Sequence, residues 1–368
     1  MRHLATIQTI DAINPIEGAD KIVCATCLGW HVVVKKDEFK VGDKCLYIEI
    51  DSIVPKTNPI FEFLENRKYR VKTIKLKGQI SQGLCLPVFL FPELKDFKVG
   101  DDVTEVLGIV KYDPELQIEK VATSKKKSFI SKVLSRYKWY RNLEKKFSGK
   151  NNAFPSQVIS KSDEERIQAI PSILRNNQHS LVSYTEKVDG QSYTATLEKK
   201  KFLKIFTYYT FTIASRNYSV SQTEKSNYVA VTEKYNIKKV LKDNIKDFDS
   251  IALQGEICGP GIQKNKYKLS VLHLYLFKIQ FNKKDDTEIL SQLAVKHFAE
   301  DNCLESVPFL GEFTLRQNID QLVQLASSEN SKLNPGVKRE GIVIRQAHKN
   351  YGFSFKVINP EFLLKFDE

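Results

Sequence analysis

No run of apolar residues in this chain approaches the length a helix needs to span a bilayer. The amino terminus, MRHLATIQTIDAINP, enters strand-like alternation at once. It lacks the apolar stretch of a secretion signal, and it is too poor in arginine for a transit peptide. These absences point to an intracellular protein, in cytoplasm or nucleus, with no membrane partner. Cysteine is sparse. Six thiols in 368 residues suit reduced side chains rather than a disulfide framework. Cys24 and Cys27 form a CxxC, but no second CxxC or paired histidines complete a zinc site. Alternation in KIVCATCLGWHVVV puts the two on opposite faces of a strand, where ordinary packing accounts for them. Acid is short as well: 57 Lys and Arg stand against 44 Asp and Glu, a formal net charge of +13. A surface that basic favours polyanions, nucleic acid first and an anionic membrane surface second.

What is present is ordinary globular material. Apolar residues make up 42% of the chain, enough for cores, and the length suits two domains. Residues 1–115 read as short strands broken by turns, and KVGD occurs at 40–43 and again at 98–101, each time leading into a strand. That pattern predicts a small β-barrel. Within it, RKYRVKTIKLKGQ alternates cations with Val, Ile and Leu. Arg70, Lys72, Lys75 and Lys77 would line the solvent side of a strand. There they either track a phosphate backbone or keep an edge soluble.

Residues 121–152 differ in character. Phe129, Ile130, Val133, Leu134, Tyr137, Tyr140 and Leu143 recur at helical spacing among Lys and Arg. A basic amphipathic helix joining two domains is expected, either a nucleic-acid contact or a plain connector. From 153 onward, strand-like runs (180–186, 191–197, 202–213, 250–257, 270–280, 341–346, 351–358) mix with helical patterns at 163–175, 226–242, 287–301 and 318–327. This predicts an α+β domain.

The stretch TEKVDGQSYTAT, residues 185–196, places a lysine where a hairpin is expected, because Asp189-Gly190 is a strong turn signal. Lys187 stands at a strand end between Glu186 and Asp189. An amine is protonated at neutral pH, and carboxylates alone hold it so. Acids around it make chemical sense if they hold a divalent cation, which reverses the local logic and neutralises phosphate. Further acids come from separate segments: Glu256 in LQGEICGPG and Glu340 in KREGIVIR. Lys356 in SFKVIN, and Arg216 beside Asn217 in IASRNYS, suit phosphate contacts. None of these is specific alone.

Taken in order, they resemble the covalent nucleotidyltransferase superfamily of ATP-dependent ligases and mRNA capping enzymes. EKVDG matches its motif I, SRN motif Ia, GE at 255–256 motif III, LYLFKI at 274–279 motif IIIa, EGIVIR motif IV and FKVIN motif V. DNA ligases and capping enzymes carry an OB domain after motif V. Here a barrel-like domain precedes motif I and nothing is expected to follow motif V. That order resembles RNA ligase family 5, as do KSDEERIQ at 161–168, GPGIQKN at 259–265 and the early GDKCLYIEIDSIVP. Ala214 stands before SRN where a small thiol is frequent.

The resemblance implies two domains: an all-β OB-like nucleic-acid-binding barrel at 1–117 and an α+β nucleotidyltransferase domain at 153–368. The latter is an ATP-grasp-like ligase adenylation domain built on antiparallel sheets, and a basic helical linker at 118–152 joins the two. It implies an ATP-dependent RNA ligase that seals 3′-OH and 5′-phosphate ends through lysyl-AMP and 5′-adenylylated RNA. A DNA ligase, a guanylyltransferase and an inactive OB-containing binding protein are the alternatives. Lys187 would be the nucleophile. Asp189, Glu256 and Glu340 would hold Mg²⁺ or Mn²⁺ through waters. Lys356 would engage the α-phosphate, and Arg216 the ribose or the 5′-phosphate end. Phe277 would stack on adenine with Glu186 by the base edge, and Arg166 and Lys161 would reach the outer phosphates or the RNA. The expected partner is RNA, as a nicked or broken duplex, with no obligate protein partner.

Overall fold

The computed structural model describes residues 3–112, 153–202, 206–223, 225–284 and 286–366. The basic segment expected to be helical at 121–152 lies outside the described residues. Two compact units separate. One holds the residues up to 112 together with Pro360–Phe366, and the other runs from 153 to 359.

The first unit is a set of short antiparallel strands: β1 (Ala5–Thr9), β2 (Ala12–Pro15), β3 (Ile22–Cys27), β4 (Trp30–Lys35), β5 (Lys44–Ile48), β6 (Ser52–Ile53), β7 (Thr73–Leu76), β8 (Gln79–Gln82), β9 (Leu84–Pro87) and β10 (Val110–Lys111). They pair as β1-β5-β9, β2-β3-β4, β7-β8 and β6-β10. Leu28 and Gly29 both take positive φ, 52° and 77°, so β3 and β4 close through a two-residue turn whose twist matches the strands. Trp30, Val32 and Val34 alternate inward to meet Ile7, Leu46 and Tyr47 in one core. Cys27 lies in that core beside Cys45, with their sulfurs 4.0 Å apart, and Cys85 joins them. The three free thiols pack there as small hydrophobes. Cys24 is turned the other way, its sulfur 3.8 Å from His31 Nδ1.

The cationic stripe expected along one strand is shorter than its alternation suggests. β7 begins only at Thr73, so Arg70 lies outside the alternating strand. Arg70 is 7% exposed, 2.8 Å from Asp51 Oδ1, with its guanidinium 3.8 Å from the Tyr112 ring centroid. It is not on the solvent side. Lys72 is half-buried, Lys75 is exposed on β7, and Lys77 is exposed in the following turn at φ 46°.

The second unit holds α1 (Ser172–Asn176), α2 (Asn227–Lys234), α3 (Ile237–Asn244), α4 (Gln292–Asp301) and α5 (Ile319–Ser327); α6 (Pro360–Phe366) belongs to the first unit, where Leu363 packs on the barrel core. The strands are β11 (Leu181–Lys187), β12 (Gln191–Phe202), β13 (Phe206–Ala214), β14 (Ser219–Val220), β15 (Ser250–Cys258), β16 (His273–Lys283), β17 (Asp286–Ile289), β18 (Glu305–Ser306), β19 (Phe309–Thr314), β20 (Gly341–Gln346) and β21 (Ser354–Ile358). One sheet runs β19-β11-β20-β21. The other, of seven strands, runs β14-β13-β12-β15-β16-β17 with β18 parallel to β16. On one face of the larger sheet, Tyr193, Ala195, Leu197 and Ile213 pack against Val231, Ile237 and Leu241 of α2 and α3. Leu322 and Ala326 of α5 pack on Ile342, Ile344 and Phe355 of the smaller sheet.

Three expectations are corrected here. β11 and β12 do not form a hairpin, because β11 pairs with β19 and β20 while β12 pairs with β13 and β15. Val188–Gly190 therefore crosses from one sheet to the other. The expected helix at 163–175 is extended at Arg166 (φ −74°, ψ 140°), which bridges Lys356, and only the short α1 follows Pro171. The pattern at 226–242 is two helices, broken where Asn236 adopts a left-handed conformation. Among the described residues, no helix is long and apolar enough to cross a membrane.

Candidate active site

The crossing from β11 to β12 builds the site. Lys187 ends β11, where pairing with Gly341 puts it beside the start of β20. Gly190 follows because of space, not turn geometry. A Cβ there would run into the Ile257 carbonyl and stand 2.8 Å from both Cys258 Sγ and Glu256 Cγ. The missing side chain lets the crossing lie against the end of β15, and β12–β15 pairing then sets Ser192 opposite Glu256.

Residues from both sheets converge on one cavity of about 150 Å³. It is lined by Glu186, Lys187, Glu256, Phe277, Arg216 and Lys356, with Asp163, Glu164 and Arg345 among the others. The remaining expected residues adjoin it. Glu340 Oε1 accepts a hydrogen bond from Lys187 Nζ at 2.6 Å. Asp189 is ion-paired with Lys266, and its backbone N–H donates to Tyr267 Oη at 2.8 Å. Arg166 lies alongside Lys356. Lys161 Nζ donates to Asn217 Oδ1 at 3.0 Å, next to Arg216. Glu186 is buried, and its Oε2 accepts from the Lys332 N–H at 2.8 Å. Phe277 is half-buried at the cavity wall rather than sealed in the core, with the Arg345 guanidinium 5.9 Å from its ring centroid. Arg70, Lys72, Lys75 and Lys77 belong to the other unit.

The charges shape one another. Burial pulls the Lys187 ammonium down, but Glu340, then Asp189 and Glu256, outweigh it and raise its pKa above the ordinary lysine value. With only the protein's own groups around it, this amine is held protonated. Burial pushes Glu256 up to about 8, opposed by Lys187 and reinforced by Asp189 and Glu340. Asp189 is also raised, by burial and then by Glu340, with Lys266 opposing. Burial brings Lys356 down to about 8; Asp163 works against this and Lys187 and Arg166 with it.

A donor set of carboxylate oxygens suits a hard divalent cation. Glu340 Oε2 is buried with no hydrogen-bond partner, so it has a lone pair to offer. Among the described residues, only Cys27, Cys45 and Cys85 bring three ligand atoms within 4.8 Å of one another. The acids of this site therefore do not form a direct three-ligand cage. They fit an ion that keeps its waters and meets the protein through them.

Sequence reasoning missed several participants. Asp163 Oδ2 lies 2.6 Å from Arg216 and Oδ1 lies 3.2 Å from Lys356 Nζ, so one carboxylate spans the two cations suited to phosphate. Glu164 pairs with Arg345, which is 2% exposed and reaches from β20 to Phe277 of the larger sheet. Lys266 holds Asp189. The run KSDEERIQ carries a family likeness, but the roles expected within it fall on Lys161 and Arg166 rather than on Asp163 and Glu164.

Comparison with known proteins follows the same lines. A profile described as an OB-fold domain matches residues 4–88, and one described as RNA ligase matches residues 181–358. No curated protein sequence matches the chain. Solved structures do. An RNA ligase from Naegleria gruberi with pyrophosphate is 32% identical, with 100% of this chain and 99% of that one covered and a TM-score of 0.79. A variant of it with ATP and Mn is also 32% identical, with 100% of each chain covered and a TM-score of 0.79. A further variant, with AMP and Mn, matches at 32% identity over 100% of this chain and 99% of that one, again with a TM-score of 0.79.

Proposed function

Because the chain belongs to the RNA ligase family, we propose that it joins RNA ends with ATP as the energy source and Lys187 as the carrier of adenylate. The N-terminal OB-fold unit, about residues 1–117, would hold nucleic acid. The unit beginning near 153 would perform the chemistry.

In the first step Lys187 Nζ forms a bond to the α-phosphorus of ATP, the bond to the bridging oxygen breaks, and pyrophosphate leaves. The amine must first lose a proton, and Glu340 Oε1 at 2.6 Å is the acceptor in place. A divalent cation held through water by Asp189, Glu256 and Glu340 would cancel the charge that keeps Lys187 protonated and would neutralise phosphate. Lys356 and Arg216 orient the phosphates, with Arg166 beside them. Phe277 offers its face to adenine and Glu186 a buried acceptor near the base edge. In the second step the adenylate passes to the 5′-phosphate of an RNA, and Lys187 is regained. In the third, a 3′-hydroxyl attacks that phosphate and AMP leaves. Splitting the condensation lets ATP supply a good leaving group, and each step needs positioning and charge neutralisation above all. The substrate proposed is a nicked or broken RNA duplex.

The observation that supports this reading is the Lys187–Glu340 contact inside a ring of acids and phosphate-ready cations from two sheets. Incubation with ATP labelled at the α-phosphate and Mg²⁺ or Mn²⁺ should give an acid-labile protein adduct, absent in Lys187→Ala. An adduct formed only with GTP, or persisting in Lys187→Ala, would overturn it. Sealing of nicked duplexes with RNA and DNA exchanged on each side of the nick tests the substrate.

A further inference from the structure

The larger sheet has a second cavity, of about 480 Å³, on the face away from the reaction centre. Ser192 shares its face of β12 with Glu256 across the pairing, so Tyr193, Ala195 and Leu197 point the opposite way, into the core with α2 and α3. Continuing that alternation past the core, Lys199 and Lys201 lie on the same side. Across the unbroken β12–β13 register they face Tyr209 and Thr207, and Leu197 faces Phe211. Phe211 lines the cavity, and Lys238 Nζ stands 5.9 Å from its ring centroid. Lys239 and Lys242 of α3 line it too, with Glu233 the one acid among the lining residues.

Tyr209 is 41% exposed, where an aromatic that served packing would be covered. Aromatic faces interleaved with lysines suit single-stranded nucleic acid: bases stack on the rings and phosphates meet the cations. An acidic protein would be met by the lysines but has no use for exposed stacking faces beside a cavity large enough for a base. We propose that this surface, from Lys199 and Tyr209 to Phe211 and the α3 lysines, binds an RNA flank beyond the ends being joined. The proposal rests on the RNA ligase reading. From Ser192 to Lys199 the strand advances roughly 23 Å at about 3.3 Å per residue, and the RNA must also pass round the sheet edge. Only a substrate with a long flank can therefore reach this surface.

The test compares full-length wild type with Tyr209→Ala and with a joint Lys199→Gln, Lys239→Gln and Lys242→Gln variant. Tyr209→Ala should weaken binding of a long single-stranded RNA at least roughly fivefold. The lysine variant should flatten the plot of log affinity against log salt by about 2, at about 0.7 per lost phosphate contact. In sealing assays KM should rise for a long-flanked RNA and stay unchanged for a short one, and Tyr209→Phe should restore wild-type behaviour. Unchanged RNA affinity and salt slope, or equal losses for short and long flanks, would overturn the proposal. Label uptake from ATP should be normal in every variant. Its absence in wild type would instead sink the ligase reading.

Discussion

At the scale of single residues, Asp163 is the most informative side chain in the site. It spans Arg216 and Lys356, so under the proposed function an incoming phosphate would have to displace it. Removing its charge should help the ligand. Asp163→Asn is expected to bind pyrophosphate roughly threefold more tightly, the scale of a half-exposed ion pair, measured by calorimetry. Weaker binding would mean that Asp163 positions the cations rather than competing for them. Lys356 sets a pH dependence. Its folded pKa is brought down to about 8, chiefly by burial, so the cation is fully present below that pH and lost as pH rises through it. Pyrophosphate affinity should decline above about pH 8, and Lys356→Arg should flatten that decline because a guanidinium does not titrate there. A profile unchanged by the arginine would assign the titration to another group. At this scale the sequence singled out Lys187, Glu256, Glu340 and Lys356 as candidates, because reactive residue types stood in or beside strands in a known order, and the structure brings them around one cavity. Asp163, Lys266 and Arg345 were not singled out. Their meaning lies in partners far along the chain, and no local spacing encodes a pairing such as Arg345 with Glu164.

Between elements, the crossing at Val188–Gly190 decides the geometry. Asp-Gly reads as a hairpin turn from propensity alone, but both flanking strands already have partners on each side. The glycine answers to the Ile257 carbonyl. Gly190→Ala should therefore cost about 1–3 kcal/mol, the usual penalty of overpacking, seen as a lower unfolding midpoint, and adduct formation should fall with it. A midpoint equal to wild type would show that β15 yields easily. The same competition explains the lost helix at 163–175. Its acids and Arg166 serve Arg345, Arg216 and Lys356, and Pro171 starts the chain afresh. Strands fared better than helices, since alternation survives where both faces of a sheet are covered unequally. β19, with Gly311 in its middle, escaped notice for want of a clean pattern.

For the molecule as a whole, two units and their classes were legible from the change in pattern around 115–153. The last helix was not, because α6 follows the second unit in sequence yet packs in the first. The chemistry should depend on a divalent ion while the fold does not. A chelator is expected to abolish adduct formation without changing the circular dichroism spectrum, and Mn²⁺ should restore it. Loss of the spectrum would assign the ion a structural role. One arrangement reaches furthest. Lys187 and Lys356 ride on the smaller sheet with Glu340 just ahead of β20, and Glu256 and Phe277 ride on the larger with Arg216 in the turn between β13 and β14. Under the proposed function the attacking amine would ride on one slab and part of the hold on the nucleotide on the other, with Val188–Gly190 running directly from one to the other. A change in how the two slabs meet would then shift the amine against the nucleotide, so a substitution at that crossing is expected to slow adduct formation more than it weakens ATP binding.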